Sequence, residues 1–397
     1  MVRSVSLFSQ LLKQIPRPLF AELVSRHKAE RNAKGFTCWG QFVSMLFCQL
    51  ARADSLREIT NGLSCCLGKL THLGLAKAPK RSSLSYANQR RPAAVFEDTF
   101  WALLSRFRQA GQLGCRKPAF RFKNKLMSLD ATTISLCLSL FPWAEFRRKK
   151  GGVKAHVLLD HDDYMPRFIA ITPAKTADVK VAQKLSFPKG SILAVDRGYV
   201  DYAMFGRWCD DGVFFVTRLK DNAVWYKVIE HKPPKSRDIL ADQTIVLTKK
   251  MDVCPHLLRR VVVWDHVGQR EIVLLTNNRK LGASTIAAIY KDRWEIELFF
   301  KALKQNLKVK TFVGTSENAI RIQIWTALIA LLLLKWLHHL SKANWSLSTL
   351  AAMLRMNLFT YRDLMDWLND PFRTPPLVPQ PVQLSFFQRH LGQAKPV

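Results

Sequence analysis

Residues 290–307 read YKDRWEIELFFKALKQNL, and the spacing within this stretch decides how the second half of the chain is read. Tyr290, Arg293, Glu297, Lys301 and Lys304 recur at steps of three or four residues, which stacks their side chains along one side of an α-helix. One face then carries a phenol, a guanidinium, a carboxylate and two ammonium groups. A solvated, salt-bridged helix alternates charge in the same way. Tyr290 and the neighbouring Trp294, Phe299 and Phe300 are out of place on a helix wetted all round, and phosphate clamping beside a carboxylate explains the set better. The pattern predicts a helix from near Ala283 to about Leu307.

Upstream of this helix, two apolar runs end in carboxylates, Lys125-Leu-Met-Ser-Leu-Asp130 and Ser191-Ile-Leu-Ala-Val-Asp196. Each predicts a strand that delivers its acid at or just past its end, where the charge reaches a cleft instead of being buried unpaired. Residues 153–160 and 167–172 are expected to be the arms of a hairpin, with Asp160, Asp162 and Asp163 as solvated turn acids. Helices over 178–185 and 201–209 and a strand over 213–217 complete a mixed α/β sheet. Strand-like runs at 223–229, 244–247, 258–265 and 271–276 make 221–278 an all-β insertion. The organisation expected is a helical N-terminal domain (1–115), the first part of an α/β core (120–220), the insertion (221–278), the end of the core with the helix quoted above (279–340), and C-terminal helices with a Pro-rich tail (341–397).

The chain has 397 residues, with 61 Lys and Arg against 30 Asp and Glu, a formal net charge of +31. Folding alone does not require such an excess, so a polyanionic partner is implied. The cations run through the whole chain among 11 Trp and 24 Phe, which suits a protein lying along a nucleic-acid backbone. In the first domain, Thr37 is expected to cap a strongly apolar helix, and the stretch Lys80–Arg91 to form a cationic helix with hydroxyl caps. That helix fits DNA binding and a solvated face about equally. Eight cysteines without a CxxC pair are expected to be reduced thiols, and the N-terminus lacks the pattern of an export signal. The apolar run Ile324–Leu334 is too short to span a bilayer and reads as a buried core helix, so no membrane partner is expected.

Asp130, Asp196 and Glu297 offer hard oxygen donors from two strands and a helix, a set that suits Mg²⁺ and phosphodiester chemistry. Taken singly, each aspartate could cap a turn, and Glu297 could pair with Lys301. At these motifs the chain resembles bacterial DDE transposases of the insertion sequence four family, whose hallmark is Tyr, Arg, Glu and Lys spaced as Tyr290, Arg293, Glu297 and Lys304 are here. Leu129-Asp130-Ala131-Thr132 and Val195-Asp196-Arg197-Gly198-Tyr199 correspond to the two aspartate motifs, in the expected order.

The resemblance implies an RNase H-like core interrupted by the β-rich insertion, with a helical N-terminal domain that recognises DNA ends. It implies that Asp130, Asp196 and Glu297 hold two Mg²⁺ ions, which Mn²⁺ can replace. Tyr290, Arg293 and Lys304 would contact phosphates, with Lys301 and Trp294 beside them. Trp294 and Trp225 are candidates to stack on a flipped base at a hairpin end. Arg147, Arg148 and Lys149, in a loop, are expected to touch the DNA backbone, while Lys154 and His156 could face the same cleft without belonging to the site. The partners implied are the terminal inverted repeats and target DNA as duplexes and a second copy of the chain assembled on DNA, in the bacterial cytoplasm at the nucleoid. The competing readings are a domesticated DNA-binding protein without catalysis and another nuclease of RNase H-like fold.

Overall fold

The computed structural model describes residues 5–376 except 32, 34, 67–68, 112, 114–119, 137–140, 142, 144, 148–149, 235–237 and 310. Among the described residues six α-helices come first: α1 (Leu7–Leu12), α2 (Arg17–Arg26), α3 (Cys38–Ala51), α4 (Leu56–Ser64), α5 (Arg81–Arg90) and α6 (Ala94–Gln109). Thr37 caps α3 by accepting from the Gly40 N–H at 3.0 Å, and Ser55 caps α4 in a capping box with Glu58. The serines of α5 do not cap it, because the helix starts after Lys80 without a side-chain bond.

The sheet begins with β1 (Leu126–Leu136), β2 (Glu145–Arg147), β3 (Lys150–Asp160) and β4 (Met165–Pro173), followed by α7 (Asp178–Ala182), β5 (Ile192–Val195), α8 (Tyr202–Asp210) and β6 (Phe214–Arg218). Four more strands follow, β7 (Tyr226–His231), β8 (Ile239–Val246), β9 (Leu258–Asp265) and β10 (Arg270–Thr276). Together they form one ten-stranded sheet in the order β2-β3-β1-β5-β6-β10-β9-β8-β7, with β4 also paired to β3. β1, β3 and β4 are antiparallel, β1, β5 and β6 are parallel, and β10 returns antiparallel to β6. The runs read between 221 and 278 are therefore strands, and they continue the main sheet.

Helices α9 (Ala283–Asp292), α10 (Glu295–Asn306), α11 (Glu317–Leu340), α12 (Leu347–Asn357) and α13 (Leu364–Asn369) complete the chain. The continuous helix expected from Ala283 to Leu307 is broken. Arg293 and Trp294 keep right-handed helical angles, but their hydrogen bonds tighten: Trp294 N–H donates to Lys291 O, Ile296 N–H to Arg293 O and Glu297 N–H to Trp294 O, each three residues back.

α11 is longer than the apolar run suggested. Its 24 residues are enough to cross a membrane by length and composition, yet 89% of its most apolar window is buried inside the protein, against α3, α5, α6 and α12. Its apolar side chains are the centre of the largest core, which also takes in α1, α10 and one face of β1.

Of the hairpin acids, Asp162 is solvated as expected, with its side chain 67% exposed, but Asp160 and Asp163 are buried, contrary to expectation. Asp160 is 2% exposed, and although burial would raise its pKa, hydrogen bonds from Arg167 and Lys125 hold it below the usual carboxylate range. Asp163 accepts from Arg108 of α6 at 2.6 Å, so the turn is tied to the helical half of the protein.

Because α11 packs on so many elements, Leu332→Ala at a fully buried position should lower stability by about 2–5 kcal/mol, read by chemical denaturation. A loss near zero would mean that α11 is not the centre of the core.

Candidate active site

The register of β1 places the first acid. β1 and β5 run parallel from Leu126↔Ile192 to Leu129↔Val195 and pair no further, so Asp130 and Asp196 are the next residue on each strand. Leu129 and Val195 both point into the apolar core on the α8 face. Alternation then turns Asp130 and Asp196 to the opposite face, which α9 and α10 cover. Asp130 is not at a strand end as expected. It sits within an eleven-residue strand whose pairing to β3 continues, Asp130↔Val157, and only its parallel neighbour stops.

Glu297 lies in the first turn of α10, opposite these two acids, and Arg293 joins the groups. The guanidinium is 8% exposed; its Nη2 donates to Glu297 Oε1 at 2.8 Å, while Nη1 faces Asp130 Oδ2 at 3.9 Å. Tyr290 stacks on it with 5.4 Å from the guanidinium carbon to the ring centre. Burial disfavours the Arg293 cation, but Tyr290, Glu297 and Asp196 outweigh burial and raise its pKa. Nε and Nη1 of Arg293 are buried without a hydrogen-bond partner.

Asp130 is pushed up to about 6, chiefly because burial strips water from its charged form and further because Asp196 and Glu297 repel it. A bond from the Ala131 N–H at 2.7 Å and the nearby Arg293 oppose the rise. Among the described residues, no three His, Cys, Asp or Glu side chains stand close enough to hold a metal ion as they are, because Arg293 lies between Asp130 and Glu297. The donor set nevertheless fits a hard divalent cation: three carboxylates, two of which raise the proton affinity of Asp130, and a guanidinium with two orphaned nitrogens as their present counter-charge.

A cavity of about 690 Å³ opens beside Asp196, lined by Trp264, Tyr290 and Trp294 together with Arg218 and Arg270. Trp294 is 56% exposed. Trp225 does not belong to this cavity. It packs on the α8 side of the sheet under the Arg260 guanidinium, 4.9 Å away. Trp264 was missed because nothing in its strand pattern separates it from a core aromatic.

Lys304 donates to Thr133 O on β1 at 3.1 Å, and Lys301 is exposed one turn earlier. Lys154 and His156 lie on the other face of the sheet from Asp130, since β3 pairs them with Thr133 and Ala131. There Lys154 bonds Asp178 at 2.8 Å, and burial lowers the His156 pKa to about 4. Arg147 ends β2, and Arg148 and Lys149 lie outside the described residues. In the helical half, α5 presents Arg81, Tyr86 and Arg90 on an exposed surface, with Arg90 over the Tyr86 ring.

Comparison with known proteins gives two family matches, the transposase DDE domain over residues 121–333 and a domain of unknown function, DUF4372, over residues 3–76. The chain is 35% identical over 293 residues to a Sinorhizobium fredii protein named "Putative transposase y4zB", covering 72% of this chain and 80% of that one. It is 32% identical over 254 residues to "Probable transposase for insertion sequence element IS5377" of Geobacillus stearothermophilus, covering 63% and 66%. With "Putative transposase for insertion sequence element IS4SA" of Synechocystis the identity is 29% over 266 residues, covering 64% and 71%.

The Asp130 shift has a consequence for stability. With a folded pKa of about 6 against an ordinary 3.8, the folded chain binds more protons between these values, so Asp130 destabilises the protein as pH rises through that window. Metal-free Asp130→Asn should therefore unfold later than the parent at neutral pH, by on the order of 1–3 kcal/mol, with the gap closing below about pH 4. Denaturant titrations at both pH values check this; a less stable variant at neutral pH would contradict it.

Proposed function

The chain belongs to the DDE transposases, and from that premise we propose that it is the transposase of an insertion sequence of the insertion sequence four type, acting by cut and paste. The observation that carries the reading is that Asp130 and Asp196 stand side by side where β1 and β5 part and that Arg293, within Tyr290-x2-Arg293-x3-Glu297-x6-Lys304, reaches both Asp130 and Glu297. The strand order β4-β3-β1-β5-β6, antiparallel for the first three and parallel for the last two, supports an RNase H-like core, with β7 to β10 as its insertion.

In this reading Asp130, Asp196 and Glu297 hold two Mg²⁺ ions, for which Mn²⁺ can stand in. Bound there, the ions would activate a water or 3′-hydroxyl and stabilise the leaving oxygen of a phosphodiester. Arg293, released from Glu297, becomes free to meet a DNA phosphate, for which a guanidinium is well matched. Tyr290 and Lys304 flank that position, and Lys301, Trp294 and the Arg147–Lys149 segment extend the contact along the backbone. The cavity beside Asp196 has the aromatic walls that a base turned out of a hairpin end requires, with Trp264 and Trp294 as its stacking candidates.

The helical residues 1–115 would recognise the terminal inverted repeats, with α5 as the contact helix. Cutting both ends needs two active sites held together, hence a homodimer assembled on DNA, in the bacterial cytoplasm at the nucleoid. One observation favours a chain that binds ends without cutting them: Arg293 already neutralises Glu297.

Glu297→Gln separates the two readings. With duplex DNA carrying the repeats that flank the gene, the variant should lose Mg²⁺-dependent cleavage by at least two orders of magnitude, as removal of a carboxylate from a catalytic metal site does, and keep its affinity for the ends. Cleavage by the variant at the parent's rate would overturn the site, and a parent that binds the ends without cutting them would favour the non-catalytic reading.

A further inference from the structure

The break between α9 and α10 falls where the signature turns into the site, and one buried group grips it. His161, the first residue after β3, has 4% of its side chain exposed and uses both ring nitrogens. Nδ1 meets Asp292 Oδ2 at 2.5 Å, and Nε2 meets Ser128 Oγ at 2.7 Å. With a carboxylate at Nδ1, that nitrogen carries a proton and donates it to Asp292. Asp292 is the last residue of α9, directly before Arg293, and the Tyr164 hydroxyl also approaches it at 3.5 Å. Ser128 lies on β1 two residues before Asp130 and on the same face.

The bond pattern matches that of a Ser-His-Asp nucleophile relay, but Ser128 is fully buried, so no substrate reaches its oxygen. What the three residues do is connect. They run from the strand that carries Asp130 to the helix end that launches Arg293 and Glu297. The base of this strut is rigid, since the turn holding His161 is fixed by Asp160 with Arg167, by Asp163 with Arg108, and by Lys335 Nζ donating to Tyr164 O at 2.7 Å.

We propose that His161 and Asp292 form a positioning pair that fixes the break between α9 and α10 and thereby sets where Arg293 and Glu297 stand relative to Asp130. The pair touches none of the reacting atoms. It acts on the carboxylate site as outer partners act on metal ligands, by fixing the direction from which a ligand arrives. The proposal rests on the transposase reading for its activity readout, but not for its structural one.

The test uses the full-length protein with Asp292→Asn, which keeps volume and loses charge, and His161→Leu as a second variant. Amide hydrogen exchange of the metal-free proteins should show residues 291–298 exchanging faster while β1, β5 and β6 keep their protection. Single-turnover cleavage of the repeat-bearing duplex should fall by about 10- to 100-fold, with more Mn²⁺ needed for half-maximal rate, as loss of an outer partner produces elsewhere. Affinity for the duplex should not change. Parent-like exchange at 291–298, or parent-like rate and Mn²⁺ dependence in both variants, would overturn the proposal. So would exchange that rises throughout the sheet, which marks general structural support. A parent unable to cut would count against the transposase reading alone, because the exchange measurement still decides the positioning role.

Discussion

Carboxylates gathered on one face of a sheet repel each other, and burial makes each of them harder to ionise. Asp130 and Asp196 are forced into that position by backbone register, since the parallel ladder between β1 and β5 ends at Leu129 and Val195 and the next residue on each strand is an acid. Such an arrangement persists only beside a positive charge. In the protein alone the charge is the Arg293 guanidinium, and it comes from the same helical segment that brings Glu297. The raised pKa of Asp130 shows that Arg293 compensates only in part, because desolvation remains the largest influence on it. A site left short of positive charge is one where a divalent cation has a stabilising role available.

That balance depends on where α10 begins, and so on the turn between β3 and β4. Residues 160–164 receive side chains from four directions: Lys125 at the entry to β1, Arg108 at the end of α6, Lys335 in the central helix α11, and Asp292 at the end of α9. Buried ionic contacts of this kind add little net stability over apolar packing, but breaking one partner is costly, which makes them good at fixing a single arrangement. The helical half of the chain and the sheet are thus joined at the turn that also carries His161.

The sequence made the mixed α/β class and the strand positions legible because alternation and apolar runs are local signals, and α3, α8 and α11 announced themselves by caps and periodicity. Two of the three hairpin acids, Asp160 and Asp163, depart from the solvated reading for a physical reason. Turn composition marks Asp160, Asp162 and Asp163 as solvated, and only tertiary contacts reveal that Arg108, Lys125 and Arg167 cover two of them. The break at Arg293 was invisible because both residues there keep helical angles, so the three-four spacing continues unaltered through it. For the candidate site, Asp130, Asp196 and Glu297 could be picked out because the family resemblance marks them; the strand-end reading holds for Asp196 but not for Asp130, past which β1 continues. Asp292 and His161 carry no spacing of their own, and Trp264 looks like any aromatic on a half-buried strand.

The signature segment serves two environments at once. An amphipathic helix divides its residues into a wet side and a dry side. Here Arg293 is buried and Tyr290 and Glu297 are half-buried, while Trp294, Leu298 and Lys301 are exposed. An exposed tryptophan and leucine beside a lysine lose solvation energy in water and recover it when a base or sugar covers them. On the transposase reading, a net charge of +31 would draw DNA in by long-range attraction that does not depend on these few residues. The exposed part of the signature is therefore free to shape the fit at the cleft, and the buried part to govern the charge within it.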